Sequence, residues 1–341
     1  MNDDVQRLQA PVLAVCDEFA TALAWDPAGK RLAVGAADGS VAVYDTDTGE
    51  LYWRQVKHFP GTACLGWSHD GTRLASGGHD GRVRLWDGAD GSLLWEYRAG
   101  DWVAHVHWLA DGAAVVAVAG RHVLRLDSAD GACGARFEAD STRSDLRPDP
   151  CSDGLLSAGY GNIHLHDPAT LESRHTFHWK GSMLCAAASP NGRWLVGGCQ
   201  DKAVHIWDRN TGADLMMSGF SSKVRQLSWD ASGDLLATGG GAEVIVWNCG
   251  GKGPEGKEPL VLSAHQSPIE ALAFDHRGKR LASGGGDGLL LLVDVAGETI
   301  RAGLLDDSAV STIAWSPDDA TLAVAYASGR IRLCPLDPAE P

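Results

Sequence analysis

An all-β fold assembled from one repeated unit is predicted by three features of the 341-residue sequence. Eight segments end alike: VAVYD at Asp45, VRLWD at Asp87, VLRLD at Asp127, IHLHD at Asp167, VHIWD at Asp208, VIVWN at Asn248, LLLVD at Asp294 and IRLCP at Pro335, spaced 40 to 46 residues apart. The chain carries 42 glycines and 13 tryptophans, as many tight turns and a recurring aromatic position would require. No stretch keeps a 3.6-residue apolar period, so helix content is expected to be very low. A repeat of about 41 residues falls in the range of four-stranded propeller blades. One such sheet cannot bury both of its faces, so the blades are expected to stack around an axis.

Each unit reads as four short strands separated by Asp-Gly-type turns. The first strand appears in TALAWDPAG, TACLGWSHDG, VAHVHWLADG, VRQLSWDASG, IEALAFDHRG and VSTIAWSPDD. The second appears in RLAVGAADG, RLASGGHDG, WLVGGCQDK and RLASGGGDG, and the shared ending is the third. A fourth follows in GELYWRQV, GSLLWEYRA and EPLVLSAH. Trp25, Trp67, Trp108, Trp229 and Trp315 close first strands, whereas Trp86, Trp207 and Trp247 close third strands; all eight are assigned to packing. Eight blades are expected, at about 17–54, 55–98, 99–138, 139–177, 178–218, 219–262, 263–304 and 305–336, together forming a single domain over residues 1–341.

Only six residues follow the last ending, too few for a fourth strand. APVLAVCDEFATALAW near the N-terminus aligns with EPLVLSAHQSPIEALAF, so residues 9–16 are expected to form the outer strand of the last blade. That pairing closes the ring and removes an open edge. Unit four is the weakest. Its first strand falls in ADSTRSDLRPDPCSDG, where Pro148 and Pro150 are expected to prevent regular pairing. Seven blades, with the degenerate region near 138–160 as an insertion, is the alternative architecture. CGGKGPEGKEP, Cys249 to Pro259, is read as a polar surface loop.

The best-formed unit runs from Lys57 to Asp87 and carries His58 before its first strand, Ser76 in the second, Asp80 in the next turn and Trp86 in the third. With these residues the chain resembles the WD-repeat (tryptophan–aspartate repeat) family of β-propellers over essentially its whole length. The resemblance implies a structural network in which the imidazole bridges carboxylate to hydroxyl and the hydroxyl meets the indole N–H. Unit seven keeps His265, Ser283 and Asp287 but has Val293 in the tryptophan position.

The resemblance also implies a non-enzymatic scaffold that binds a protein or peptide on the narrower face of the ring and at the channel mouth. Carried onto this chain, the contacting positions around first strands include Phe19, Thr21, Trp102, Ala104, Ser182, Leu184, Lys223, Arg225 and Glu270. Those before the second turn include Ala37, His79, Gln200 and Gly286, with Tyr160 nearby in unit four. Trp102 and Trp179 lie in loops outside the strand positions and are candidate interface anchors, because aromatic side chains bury large area at low entropy cost. Lys223 and Arg225 form a local basic spot.

Composition narrows the other functions. Lys plus Arg total 29 against 44 Asp plus Glu, a formal net charge of −15, so nucleic acid and membrane surfaces are not expected as partners. No window approaches 18 uncharged apolar residues, and MNDDVQRLQA lacks the apolar core of a secretory signal. A cytoplasmic location is therefore expected, with the eight scattered cysteines reduced.

Nucleophile elbows, phosphate-binding loops, HExxH helices and paired CxxC sites are absent. The GxGxxG match in GKGPEG contains Pro254 and lacks the strand–turn–helix context that the motif needs. Asp38, Asp201 and Asp287 recur at one turn position and are read as turn residues. No cofactor is implied. His105 and His107 alternate on one strand, as do His164 and His166 on another, and imidazole pairs suit zinc, copper or nickel. A metal-binding or metal-trafficking propeller is thus the alternative function, set against hydrogen-bonded imidazoles with no metal. His175 and His178 are weaker candidates. A channel-sited enzyme is a third reading, which lacks any non-repeating cluster of nucleophile, base and oxyanion donors.

Overall fold

The computed structural model describes residues 6–263 and 265–336, and within them the chain forms strands and turns with no helix. Unit two shows how sequence becomes a blade. Thr62–Trp67, Arg73–Gly78, Arg82–Asp87 and Leu93–Arg98 pair antiparallel in chain order. The two middle strands are almost wholly buried, which their small and apolar residues permit, and the last strand exposes alternate side chains. Gly77 is dictated by contact: a Cβ there would come within 2.4 Å of Val103 in the neighbouring blade. The first turn is set by Asp70, whose carboxylate accepts from Ser68 Oγ and from the N–H and hydroxyl of Thr72, followed by Gly71 at φ +68°.

The strands make seven hydrogen-bonded sheets, not eight separate ones. Counted by continuous pairing, the propeller has seven blades, the largest of six strands. That sheet spans sequence units four and five because Ser173–Ala188 runs unbroken from one into the other, and Leu155–His166 is likewise continuous within unit four. Residues 162–166 pair with 173–178, Tyr160 pairs with Ser182, and 183–188 pair with 194–199. Unit four lacks the Asp-Gly turn that separates the second and third strands in units one, two and seven, and the strand continues through residues 179–181.

Seven does not arise by loss of the degenerate region. Arg143–Pro148 forms a strand in register with Leu155–Gly159, correcting the expectation that its prolines block pairing. The first strand of a blade has one unpaired edge, toward the channel, and a proline that cannot donate is tolerated there. Consecutive inner strands contact one another in a closed cycle: Ala20–Trp25, Thr62–Trp67, Val103–Trp108, Arg143–Pro148, Ser173–Ala188, Gln226–Trp229, Ile269–Phe274, Val310–Trp315 and back to Ala20–Trp25.

Two devices hold the ring together. Val12–Val15 pairs antiparallel with Arg330–Pro335, and Cys16 N–H donates to the Gly329 carbonyl at 2.8 Å. Upstream, Gln6–Arg7 pairs in parallel with Thr299–Leu305 of the preceding sheet. Leu8 between them is buried in the core that those two sheets share. One N-terminal segment therefore straps two neighbouring sheets.

The second device is an indole staple. Trp67 Nε1 donates to the Ala24 carbonyl at 3.1 Å, Trp108 to Gly66 at 2.9 Å, Trp229 to Ala187 at 3.3 Å and Trp315 to Ala273 at 3.1 Å. Trp25 donates to Ala314 at 2.9 Å and so joins the first unit to the last. Each tryptophan reaches the inner strand of the unit before it.

Candidate partner-binding face

Backbone hydrogen bonds bring the loops entering first strands and the turns after second strands to one end of the ring. Ala37 N–H donates to Phe19 O at 2.8 Å, His79 to Gly61 at 2.9 Å, Gly120 to Trp102 at 3.3 Å, Gln200 to Ser182 at 2.9 Å and Gly286 to Pro268 at 2.9 Å. Ser141 Oγ donates to Tyr160 O at 3.1 Å. Most of the sequence-derived contact positions thus share an end, and they differ in what they present there.

Trp102 is 64% exposed, Tyr160 65% and Phe19 41%. The Trp102 ring lies beside His79, with centroids 4.8 Å apart. Phe59, at 77% the most exposed of these aromatics, stands in the loop before the inner strand of unit two and was missed by sequence reasoning. Its signal was an aromatic residue before Pro60 in a loop with no packing position to fill. Gln200, Lys223, Arg225 and Glu270 are exposed.

Three positions turn inward. Trp179 is only partly exposed and stacks on His205, ring centroids 3.8 Å apart, so it packs on its own unit and is not a free anchor. Thr21 is half-buried and spends its hydroxyl on the Thr62 carbonyl at 2.6 Å. Leu184 is also half-buried. Sequence position could not reveal these, because each depends on a neighbouring strand.

Beneath this end the His58 network is fully assembled. His58 Nδ1 meets Asp80 Oδ1 at 2.9 Å, Nε2 meets Ser76 Oγ at 2.7 Å, and Trp86 Nε1 donates to Ser76 Oγ at 2.8 Å. Arg84 Nη1 adds a bond to Asp80 Oδ2 at 2.6 Å. Burial pushes the His58 pKa down, against the upward pull of Asp80. Burial would raise Asp80, but hydrogen bonds from His58 and Arg84 outweigh it and hold the carboxyl below its ordinary value. In unit seven, His265 meets Asp287 at 3.2 Å and Ser283 at 2.9 Å, with no indole beyond. These histidines are spent on holding loops in place.

The two HxH pairs do not meet. His105 Nε2 lies 3.1 Å from the Ser144 carbonyl, and burial lowers its pKa. His107 is pushed down to about 4 by burial first and then by His69 and Arg147. His164 and His166 pack instead on Phe137, at 5.0 and 4.7 Å between centroids. His166 is fully buried, bonded to Ser157 Oγ at 2.8 Å and to the Leu171 carbonyl at 2.9 Å. Among the described residues no group of three or more His, Cys, Asp or Glu is placed to hold a metal ion. Neither HxH pair gains a third such ligand from the neighbouring unit among the described residues.

Two hollows open along the channel. A cavity of about 630 Å³ runs between inner strands and is lined by Arg147, Cys185, Arg225, Trp229 and Glu270 among mostly small apolar neighbours. Burial pushes the Cys185 thiol far above its ordinary pKa, which keeps it protonated at neutral pH. A smaller one of about 220 Å³ lies between units six and seven, with Lys223, Arg225 and Glu270 at its rim.

The family model described as WD domain, G-beta repeat, matches residues 171–208, 215–248, 256–294 and 302–334. A model of the anaphase-promoting complex subunit 4 WD40 domain matches residues 12–60. The C-terminal WD40 domain of Sif2 superposes with a TM-score of 0.78, 18% identity, and coverage of 98% of this chain and 99% of that one. The chain belongs to the WD-repeat β-propeller family.

Other similarities are of fold or of short reach. The computationally designed Ika8 protein superposes with a TM-score of 0.80 at 21% identity, over 95% of this chain and 98% of that one. A model described as outer membrane protein assembly factor BamB matches residues 37–134. The ribosome biogenesis protein ERB1 of Coprinopsis cinerea is 36% identical over 52 residues, which are 15% of this chain and 7% of that protein. WD-repeat propellers are generally non-enzymatic scaffolds that bind protein partners.

Proposed function

We propose that this WD-repeat propeller is a non-enzymatic scaffold that holds a protein or peptide partner on the end bearing Phe19, Phe59, Trp102 and Tyr160. One observation carries the reading. Among the described residues, every exposed large apolar side chain except these four lies on the fourth strand of a unit, Val12–Val15 serving as the fourth strand of the last. The four exceptions are all aromatic, come from units one to four in turn, and stand at one end of the ring. Clustered exposed aromatics on a rigid frame are the usual anchors of an interface. We also read the six-stranded sheet as two blade positions, since Arg143–Pro148 and residues 182–188 each supply an inner strand. The frame would then offer eight loop clusters to a partner.

The test is capture of partners from the native cell on immobilised protein. The Trp102→Ala, Tyr160→Ala double variant is expected to lose most of the captured protein while its melting temperature stays within about 2 °C of the parent, as exposed substitutions cost little stability. Equal capture by the double variant removes this end of the ring from the account.

A further inference from the structure

We propose that the partner segment is acidic, and that its carboxylates dock on a basic arc formed by Lys180, Lys202, Lys223 and Arg225. The proposal rests on the face reading above and adds the chemistry of what binds there. Lys180 precedes the inner strand of unit five, Lys202 closes the turn after its second strand, and Lys223 and Arg225 lie at the start of the inner strand of unit six. Two backbone bonds bring them together: Gln200 N–H to Ser182 O at 2.9 Å, and Val224 N–H to Cys199 O at 3.1 Å. All four side chains are exposed.

The arc stands out by grouping four cations at two adjoining units. With 44 acidic residues against 29 basic ones, a cation in this protein has carboxylates to spare. Many cations elsewhere use them: Arg31 pairs with Asp26, Arg84 with Asp80, Arg193 with Asp208, Arg209 with Asp149 and Arg330 with Asp306, whereas Lys57, Arg98 and Lys252 stand exposed, each by itself on a different loop or strand end. The four cations of the arc make no hydrogen bond or ion pair with any described residue. Three of the eight lysines in the chain are here. Asp201 and Glu270 lie beside them, leaving a local excess of two positive charges, four minus two.

Loops of units one, three and eight at the same end carry Asp17, Glu18, Asp101 and Asp307, all exposed or, for Asp307, mostly so. The face is therefore polarised, and the polarity orients a guest: its acidic part toward units five and six, its apolar part toward the aromatics of units one to four. Arg225 also lines the channel cavity, together with Arg147, which Asp145 holds by its Nε at 3.1 Å. A long polyanion suits the site less than a short acidic segment, because the net charge of −15 repels it everywhere outside the arc.

The experiment is fluorescence anisotropy with a labelled peptide of about twelve residues, half glutamates and half an apolar stretch containing Phe and Leu. A counterpart with glutamine for glutamate, a single-stranded oligonucleotide of about the same length and phosphatidylserine vesicles serve as competing probes. The glutamate peptide is expected to bind about tenfold tighter than the glutamine one at low salt, the gap closing as salt rises. Lys180→Gln, Lys202→Gln and Lys223→Gln together should abolish that preference, and arginine at the same three positions should keep it. Equal affinity for the two peptides overturns the proposal, and so does tighter binding of the oligonucleotide or the vesicles. The Trp102→Ala, Tyr160→Ala variant separates the two readings: it should weaken both peptides alike. If it weakens both and no glutamate preference exists, the face stands and the arc falls. If the preference persists but that variant has no effect, the arc stands and the aromatic anchors fall.

Discussion

His58 spends its two ring nitrogens on Asp80 and Ser76 while fully buried, and Arg84 donates to the other oxygen of Asp80. Buried polar groups are tolerated when satisfied in this way. The network was legible in the sequence because four distinctive residue types recur at fixed offsets. Its substitute in unit four was legible only in part. There His166 takes the tryptophan position and bonds Ser157, while Arg143, also buried, bonds the Asn162 side chain and the carbonyls of Ser157 and Asn162. His166 is visible in the repeat as the residue in the tryptophan slot, but no motif announces the arginine that joins it.

The exchange has a pH consequence. Burial pushes the His166 pKa down to about 4 in the folded protein, below its ordinary 6.5. Between those values the unfolded chain binds more protons than the folded one, so stability is full above about 6.5 and falls as pH drops toward about 4. His166→Phe removes that proton uptake. In urea titrations across this window, the variant's stability should fall less steeply with acid, by about 1.4 kcal/mol per pH unit. An unchanged slope would assign the acid sensitivity to other groups.

At the scale of single strands, the inner strand shows how far a pattern can be read. Trp25, Trp67, Trp108, Trp229 and Trp315 were recognisable as packing residues from their repeated position. Their acceptors were not, because which carbonyl each indole reaches depends on how neighbouring sheets are offset. Units four, five and seven end the same strand with Pro148, Ala188 and Phe274, and so do without an indole there. Trp67→Phe keeps most of the buried area and removes one N–H. It should cost about 1 kcal/mol from the lost bond to Ala24, read from the shift of the urea midpoint. A cost near zero would mean that the staple contributes packing alone. The joined sheet of units four and five was beyond the pattern for a related reason. Repeat endings mark where strands stop, whereas the unbroken runs Leu155–His166 and Ser173–Ala188 depend on the loss of a break inside each of them.

Taken whole, the molecule is a ring strapped by its own N-terminal segment, with outer strands that leave scattered apolar residues exposed and one end that gathers aromatics and unpaired cations. Ring architecture was readable because it is written many times over. The composition of the face was readable only in part, since Trp102 and Tyr160 stand proud while Trp179 folds onto His205. The central claim is that partners engage this end and no other. Hydrogen exchange of the full chain, alone and with the partner recovered by capture, tests it most directly. The account predicts added protection confined to segments around Phe19, Phe59, His79, Trp102, Tyr160 and residues 199–225. Protection appearing instead in the opposite-end turns at 26–31, 45–50 and 87–92, or along the outer strands, would contradict it.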